Sequence, residues 1–139
     1  MNFTLRICFL FIFSSSVYSE PVINGVWKEN CERNWSSIYV SESRPIIMLE
    51  ASHVYIYVNY KSHDEEGINI YFDKIADLGP GGRGIAWSSI NKEKPIGRFK
   101  YINKKKATLE WYGFTAISGE KIEVYSDFMR HNELRLCKR

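Results

Sequence analysis

The chain has 139 residues, 45% hydrophobic and 25% charged, with 19 Lys and Arg against 16 Asp and Glu for a net charge of +3. A chain of this size can bury a core without staples and leaves no room for a second large domain. A small positive surplus interspersed with acids is too weak to imply binding to nucleic acid or to an anionic membrane.

Met1 to Ser19 reads as a cleavable secretory leader. Arg6 is its only charge, Ile7 to Phe13 is an apolar run, and Ser14 to Ser19 is a small-residue segment with Val17 and Ser19 at the −3 and −1 positions of a cut before Glu20. The apolar run is far shorter than the ~20 residues that cross a bilayer, so the leader predicts export to the periplasm or outside the cell, with no membrane anchor. Processing removes one of the 19 basic residues, leaving 18 against 16 acids, a net charge of +2, on a single mature domain over 20–139.

Cys8 leaves with the leader. Cys31 and Cys137 remain, an even pair in an oxidising compartment, with no His or Cys near them at metal-ligand spacing. They are expected to form a disulfide closing a loop of about 105 residues, which the chain-entropy relation values at about 4–5 kcal/mol.

Beyond residue 20 the pattern has period two, carried by Tyr, Ile, Val, Phe and Trp. Val22–Trp27, Ser37–Val40 and Pro45–Leu49 read as short strands. His53–Tyr60 is the clearest strand, with Val54, Ile56 and Val58 on one face and Tyr55 and Tyr57 on the other. Lys61–Gly67 reads as a polar turn, and Ile68–Lys74 alternates again with Ile68, Ile70 and Phe72 inward, completing a hairpin. Single helical turns are expected at most near Asn30–Trp35 or Lys74–Leu78.

Gly84–Ile90 reads as a further strand, Asn91–Pro95 as its turn, and Ile96–Ile102 as the next strand, with Phe99 and Tyr101 sharing a face. Asn103–Lys106 is a tight basic turn before Thr108–Tyr112. Gly113 marks a break before Phe114–Ile117, Ser118-Gly119 turns into Lys121–Phe128, and Glu133–Cys137 closes the domain. Eight to ten short strands with turn signals every 8–12 residues predict an all-β antiparallel fold. It is either a meander closing into a barrel or a β-sandwich. A disulfide between the first and last strands suits the barrel, in which those strands are neighbours.

Motifs that carry chemistry are scarce. Gly79 to Gly84 is glycine-rich, but Pro80 removes a donor, the phosphate-binding Lys is missing and a strand is expected next, so it reads as a hairpin loop with Arg83 as an exposed contact. His53, His63 and His131 fall at no metal spacing, and no cofactor fingerprint is present. No nucleophile motif appears, and acids such as Glu110 and Asp127 are the only nameable candidates for glycan hydrolysis, so the reading is not an enzyme. Lys104-Lys105-Lys106 reads as a solvated turn or a docking point for an acidic partner, and Asn34-Trp35-Ser36 has the glycosylation acceptor pattern.

The aromatics are the better lead. Phe, Trp and Tyr make up 15% of the chain, nine of them Tyr. Trp27, Trp87, Trp111, Phe72, Phe99 and Phe128 fit inward positions. Tyr55, Tyr57 and Tyr71 fall together on the opposite face of one hairpin, as cross-strand stabilisers, as a binding surface, or as the lining of a pocket if the barrel interior holds them. The plan is similar in architecture to lipocalin-like ligand binders and to small periplasmic inhibitor or immunity proteins. The expected function is non-catalytic binding of another protein, as an inhibitor or immunity-type protein against a hydrolase or toxin. The alternative is carriage of a small hydrophobic ligand inside a lipocalin-like barrel.

Overall fold

The computed structural model describes residues 24–32, 37–41, 45–49, 54–64, 67–78, 82, 84–123 and 133–138. The leader, the Asn34–Ser36 acceptor pattern, His53, Arg83, His131 and the segment 124–128 lie outside the described residues.

Among the described residues ten strands run β1 (Gly25–Lys28), β2 (Ser37–Val40), β3 (Ile46–Leu49), β4 (Val54–Asp64), β5 (Gly67–Leu78), β6 (Pro95–Asn103), β7 (Lys106–Trp111), β8 (Phe114–Thr115), β9 (Lys121–Ile122) and β10 (Glu133–Lys138). Each of β1 to β6 pairs antiparallel with the next. Then β10 pairs with both β7 and β1, closing an eight-stranded barrel in meander order, while β8 and β9 form a separate hairpin. The fold is thus all-β and barrel-like, as the strand rhythm predicts, and the closing pairs decide against the sandwich. Register shifts in β4, β5, β6 and β10 insert extra residues into single strands, the local bends by which a small sheet curls on itself.

The closing seam is short. Val26 pairs with Lys138, Trp27 with Leu136 and Lys28 with Arg135, and the shift in this register falls at Cys137. Just past the end of β1, Cys31 returns to Cys137, Cα to Cα 5.4 Å, and the two are joined across 106 positions of sequence.

Alternation is clean where it was expected. Val54, Ile56 and Val58 of β4 and Ile68, Ile70 and Phe72 of β5 are buried. Trp27, fully buried on β1, sets its ring 5.5 Å from Phe99 and 5.4 Å from Tyr101. Both partners sit on β6, three strands around the ring, so these contacts cross the barrel interior. A second cluster lies toward the start of β6 and the end of β7, where Phe114 meets Phe72 at 5.9 Å and Trp87 and Trp111 at 5.6 Å. Each edge-to-face pair adds about 0.5–1.5 kcal/mol to the area it buries.

Three local readings change. The expected strand Gly84–Ile90 is irregular, with one 3₁₀ turn at Trp87–Ser89 and a single bridge from Ile90 to Ala116. Its polar groups close locally instead: the Ser89 hydroxyl donates to the Ala86 carbonyl at 2.7 Å, and the Trp87 indole donates to the Gly82 carbonyl at 2.9 Å. Ile117 N–H donates to Ser89 O at 2.7 Å and Asn91 N–H to Thr115 O at 2.8 Å, tying this turn to the β8–β9 hairpin. The polar stretch Lys61–Asp64 is strand, not turn, because β5 pairs with it as far as Asp64–Gly67. Lys74–Leu78 is likewise strand rather than a helical turn, paired to Val54–Tyr57. Of the strand expected from Lys121 to Phe128, Lys121 and Ile122 are strand, and residues 124–128 lie outside the described residues. The break at Gly113 is present, with φ at +73°, a left-handed conformation that ends β7 before β8 begins.

Candidate functional site

The expected tyrosine stripe is on the outside of the barrel. Because their neighbours Val54, Ile56, Val58, Ile70 and Phe72 are buried, Tyr55, Tyr57 and Tyr71 point outward, and all three are half-buried. The β4–β5 register sets Tyr55 opposite Asp77, Tyr57 opposite Lys74 and Tyr71 opposite Asn59. The pocket reading, in which these tyrosines line the interior, is thereby replaced by an outer wall.

Charges frame this wall. Lys74 Nζ stands 5.5 Å from the centroid of the Tyr57 ring, and Lys61 Nζ stands 4.9 Å from that of Tyr71. Such exposed cation–π contacts are worth about 0.5–1 kcal/mol each. Lys61 also pairs with Glu93 at 2.8 Å, and Lys92 lies 4.0 Å from Asp73. Both pairs are solvent-exposed and hold side chains in place more than they stabilise the fold.

Tyr39 was not singled out from sequence. Ile46 pairs with Tyr39 on one side and with Tyr57 on the other, so the ladder sets the two tyrosines in one row across β2, β3 and β4. Tyr39 is 36% exposed, among the most exposed large hydrophobic residues described. The alternation Ser37-Ile38-Tyr39-Val40 already pointed it outward. Only the pairing shows that it extends the stripe.

Inside the barrel, Tyr60 continues the inward set of β4 and packs against the core. Its hydroxyl is buried with no hydrogen-bond partner among the described residues, and burial, with a smaller contribution from Tyr101, pushes its ionisation well above that of a free tyrosine. Outside, Arg98 and Glu110 face each other across β6 and β7, and Tyr112 donates to Glu110 Oε2 at 3.2 Å. Burial first and this hydrogen bond second raise the Tyr112 phenol. Glu110, one of the two acids named for glycan hydrolysis, is therefore exposed and engaged by Tyr112, and Asp127 lies outside the described residues. Among the described residues no three His, Cys, Asp or Glu side chains gather as a metal site. No family model, curated protein or solved structure matches the chain.

Proposed function

We propose that this is an exported protein that binds another protein without catalysis, through the outer wall formed by β2 to β5, as an inhibitor or immunity-type protein against a hydrolase or toxin. The observation that carries the reading is the row of partly exposed tyrosines, Tyr39, Tyr55, Tyr57 and Tyr71, on one wall of the barrel. Tyrosine offers a large, stiff contact area with a polar tip and is enriched where protein interfaces concentrate their energy. The lysines over Tyr57 and Tyr71 and the acids beside them supply a polar rim.

The test is retention of a partner from the exported fraction of the source cells on the immobilised mature protein. A Tyr39→Ser/Tyr55→Ser variant should lose that partner by about 30-fold or more, the loss of one interfacial anchor, while its melting temperature stays near that of the native protein. Equal retention by a folded variant overturns the reading.

One observation favours a second reading, carriage of a small hydrophobic ligand. The Tyr60 hydroxyl inside the barrel, unpartnered among the described residues, is a polar tip that a ligand oxygen would satisfy. Native mass spectrometry of the mature protein from its own source separates the two. A retained mass of a few hundred daltons supports carriage, and a bare chain or a protein complex supports the binding wall.

A further inference from the structure

We propose that the tip of the β6–β7 hairpin is a reversible docking point for an anionic lipid surface. The net charge of the chain gives no hint of this; the fold creates it by gathering cations at one corner. Lys100, Lys104, Lys105 and Lys106 are all exposed, and Ile102 among them is 56% exposed. The register shift between Tyr101 and Asn103 falls on Ile102, an irregularity of the kind that re-aims a side chain out of its ladder.

The tip is built rather than loose. Asn103 Oδ1 accepts the backbone N–H groups of Lys105 at 2.9 Å and Lys106 at 3.0 Å, and Leu136 N–H donates to the Lys105 carbonyl at 3.0 Å. Lys106 reaches Glu133 at 3.4 Å, and the same carboxylate lies 3.8 Å from Arg135. Among the described residues no acid pairs with Lys100, Lys104 or Lys105.

On the β5 side the tip is open, while on its other side β10 runs alongside it, from Arg135 opposite Lys106 to Lys138. Ile68 pairs with Phe99, and β5 starts one residue before that pair, whereas β6 runs four residues past it. At ~3.3 Å per residue the tip stands ~10 Å beyond the start of β5.

An exposed isoleucine among four exposed lysines fits a soft anionic interface. The isoleucine enters the headgroup boundary while the lysine stems lie along it and their ammonium groups reach phosphate. An acidic protein would need a pit shaped to receive the same tip. One isoleucine and three free lysines are a single weak signal, so the contact is reversible.

Co-sedimentation of the oxidised mature protein with vesicles of 30% phosphatidylglycerol in phosphatidylcholine tests this. Binding is expected at 50 mM salt, with loss at 0.5 M and on pure phosphatidylcholine. Lys104→Gln/Lys105→Gln and Ile102→Ser should each bind at least ~10-fold more weakly. Ile117→Ser, which alters an isoleucine 69% exposed in the β8–β9 turn, should bind like the native protein. Circular dichroism confirms that each variant is folded. No sedimentation with the anionic vesicles overturns the proposal. So does equal loss in the Ile117 variant, or unchanged binding in the tip variants. Binding to poly-L-glutamate without binding to vesicles replaces the lipid with an acidic protein.

Discussion

Breaking the Cys31–Cys137 bond tests how the barrel is closed. The bond joins positions 106 apart, next to a seam of only three residue pairs. For a loop of that length the chain-entropy relation gives about 16 cal/mol/K, or about 4.8 kcal/mol at 25 °C. Unfolding entropy for a domain of about 120 residues is about 250 cal/mol/K, so the melting temperature should fall by roughly 15–20 °C. Cys31 is exposed and Cys137 half-buried, so a reductant reaches the bond in the folded protein. The assay is thermal unfolding by circular dichroism of the native protein, the reduced protein and a Cys31→Ser/Cys137→Ser variant. Hydrogen exchange in the same samples should show the amides of Val26 and Lys28 losing protection before those of β4 and β5, because the seam spans the longest loop in the ring. A fall of less than about 5 °C with unchanged seam protection would refute the argument, since the closing strands would then hold without the covalent link.

Trp27→Ala removes the ring that meets Phe99 and Tyr101 across the interior and should cost about 3–5 kcal/mol, measured by urea unfolding. Gly97→Ala would set a methyl group 2.9 Å from the Glu110 carbonyl on the paired strand, and should lower stability by about 1–3 kcal/mol through displacement of the β6–β7 ladder. Tyr60→Phe removes a buried hydroxyl without a partner among the described residues and should stabilise the fold by about 1 kcal/mol in the same assay. The Tyr60 phenol also makes a pH prediction. Its ionisation is raised by burial above the ordinary value of 10.0, so above that pH the unfolded chain releases a proton that the folded chain keeps. Stability from this group is complete below pH 10.0 and declines as pH rises further. Ultraviolet titration should show one tyrosine ionising only after the others, and Tyr60→Phe should remove that late step.

Much of the barrel was legible in the chain. Period-two alternation in Val54–Val58 and Ile68–Phe72 identified which residues are buried, because a strand turns successive side chains to opposite faces. It equally put Tyr55, Tyr57 and Tyr71 on the far side. The misread stretches share one cause. Lys61–Asp64 looks like a turn by composition, yet pairing with β5 satisfies its backbone and overrides that preference. Gly84–Ile90 alternates like a strand but makes only one bridge, and local hydrogen bonds close a 3₁₀ turn instead. In both cases a partner, present or missing, decided the outcome.

Local chemistry written along the chain therefore determined the all-β class, the order of the hairpins, the inward and outward faces and the pair of cysteines able to close the ends. Those properties depend on neighbours a few residues apart and on cysteine count. The tertiary structure decided what depends on residues far apart. It closed a barrel, because β1 pairs with both β2 and β10. It filled that barrel with rings reaching across from β1 to β6, set Tyr39 in line with Tyr57 through a strand between them, and tied an ordinary basic turn to β10. Strand registry carries this information, and it exists only once the partners have met.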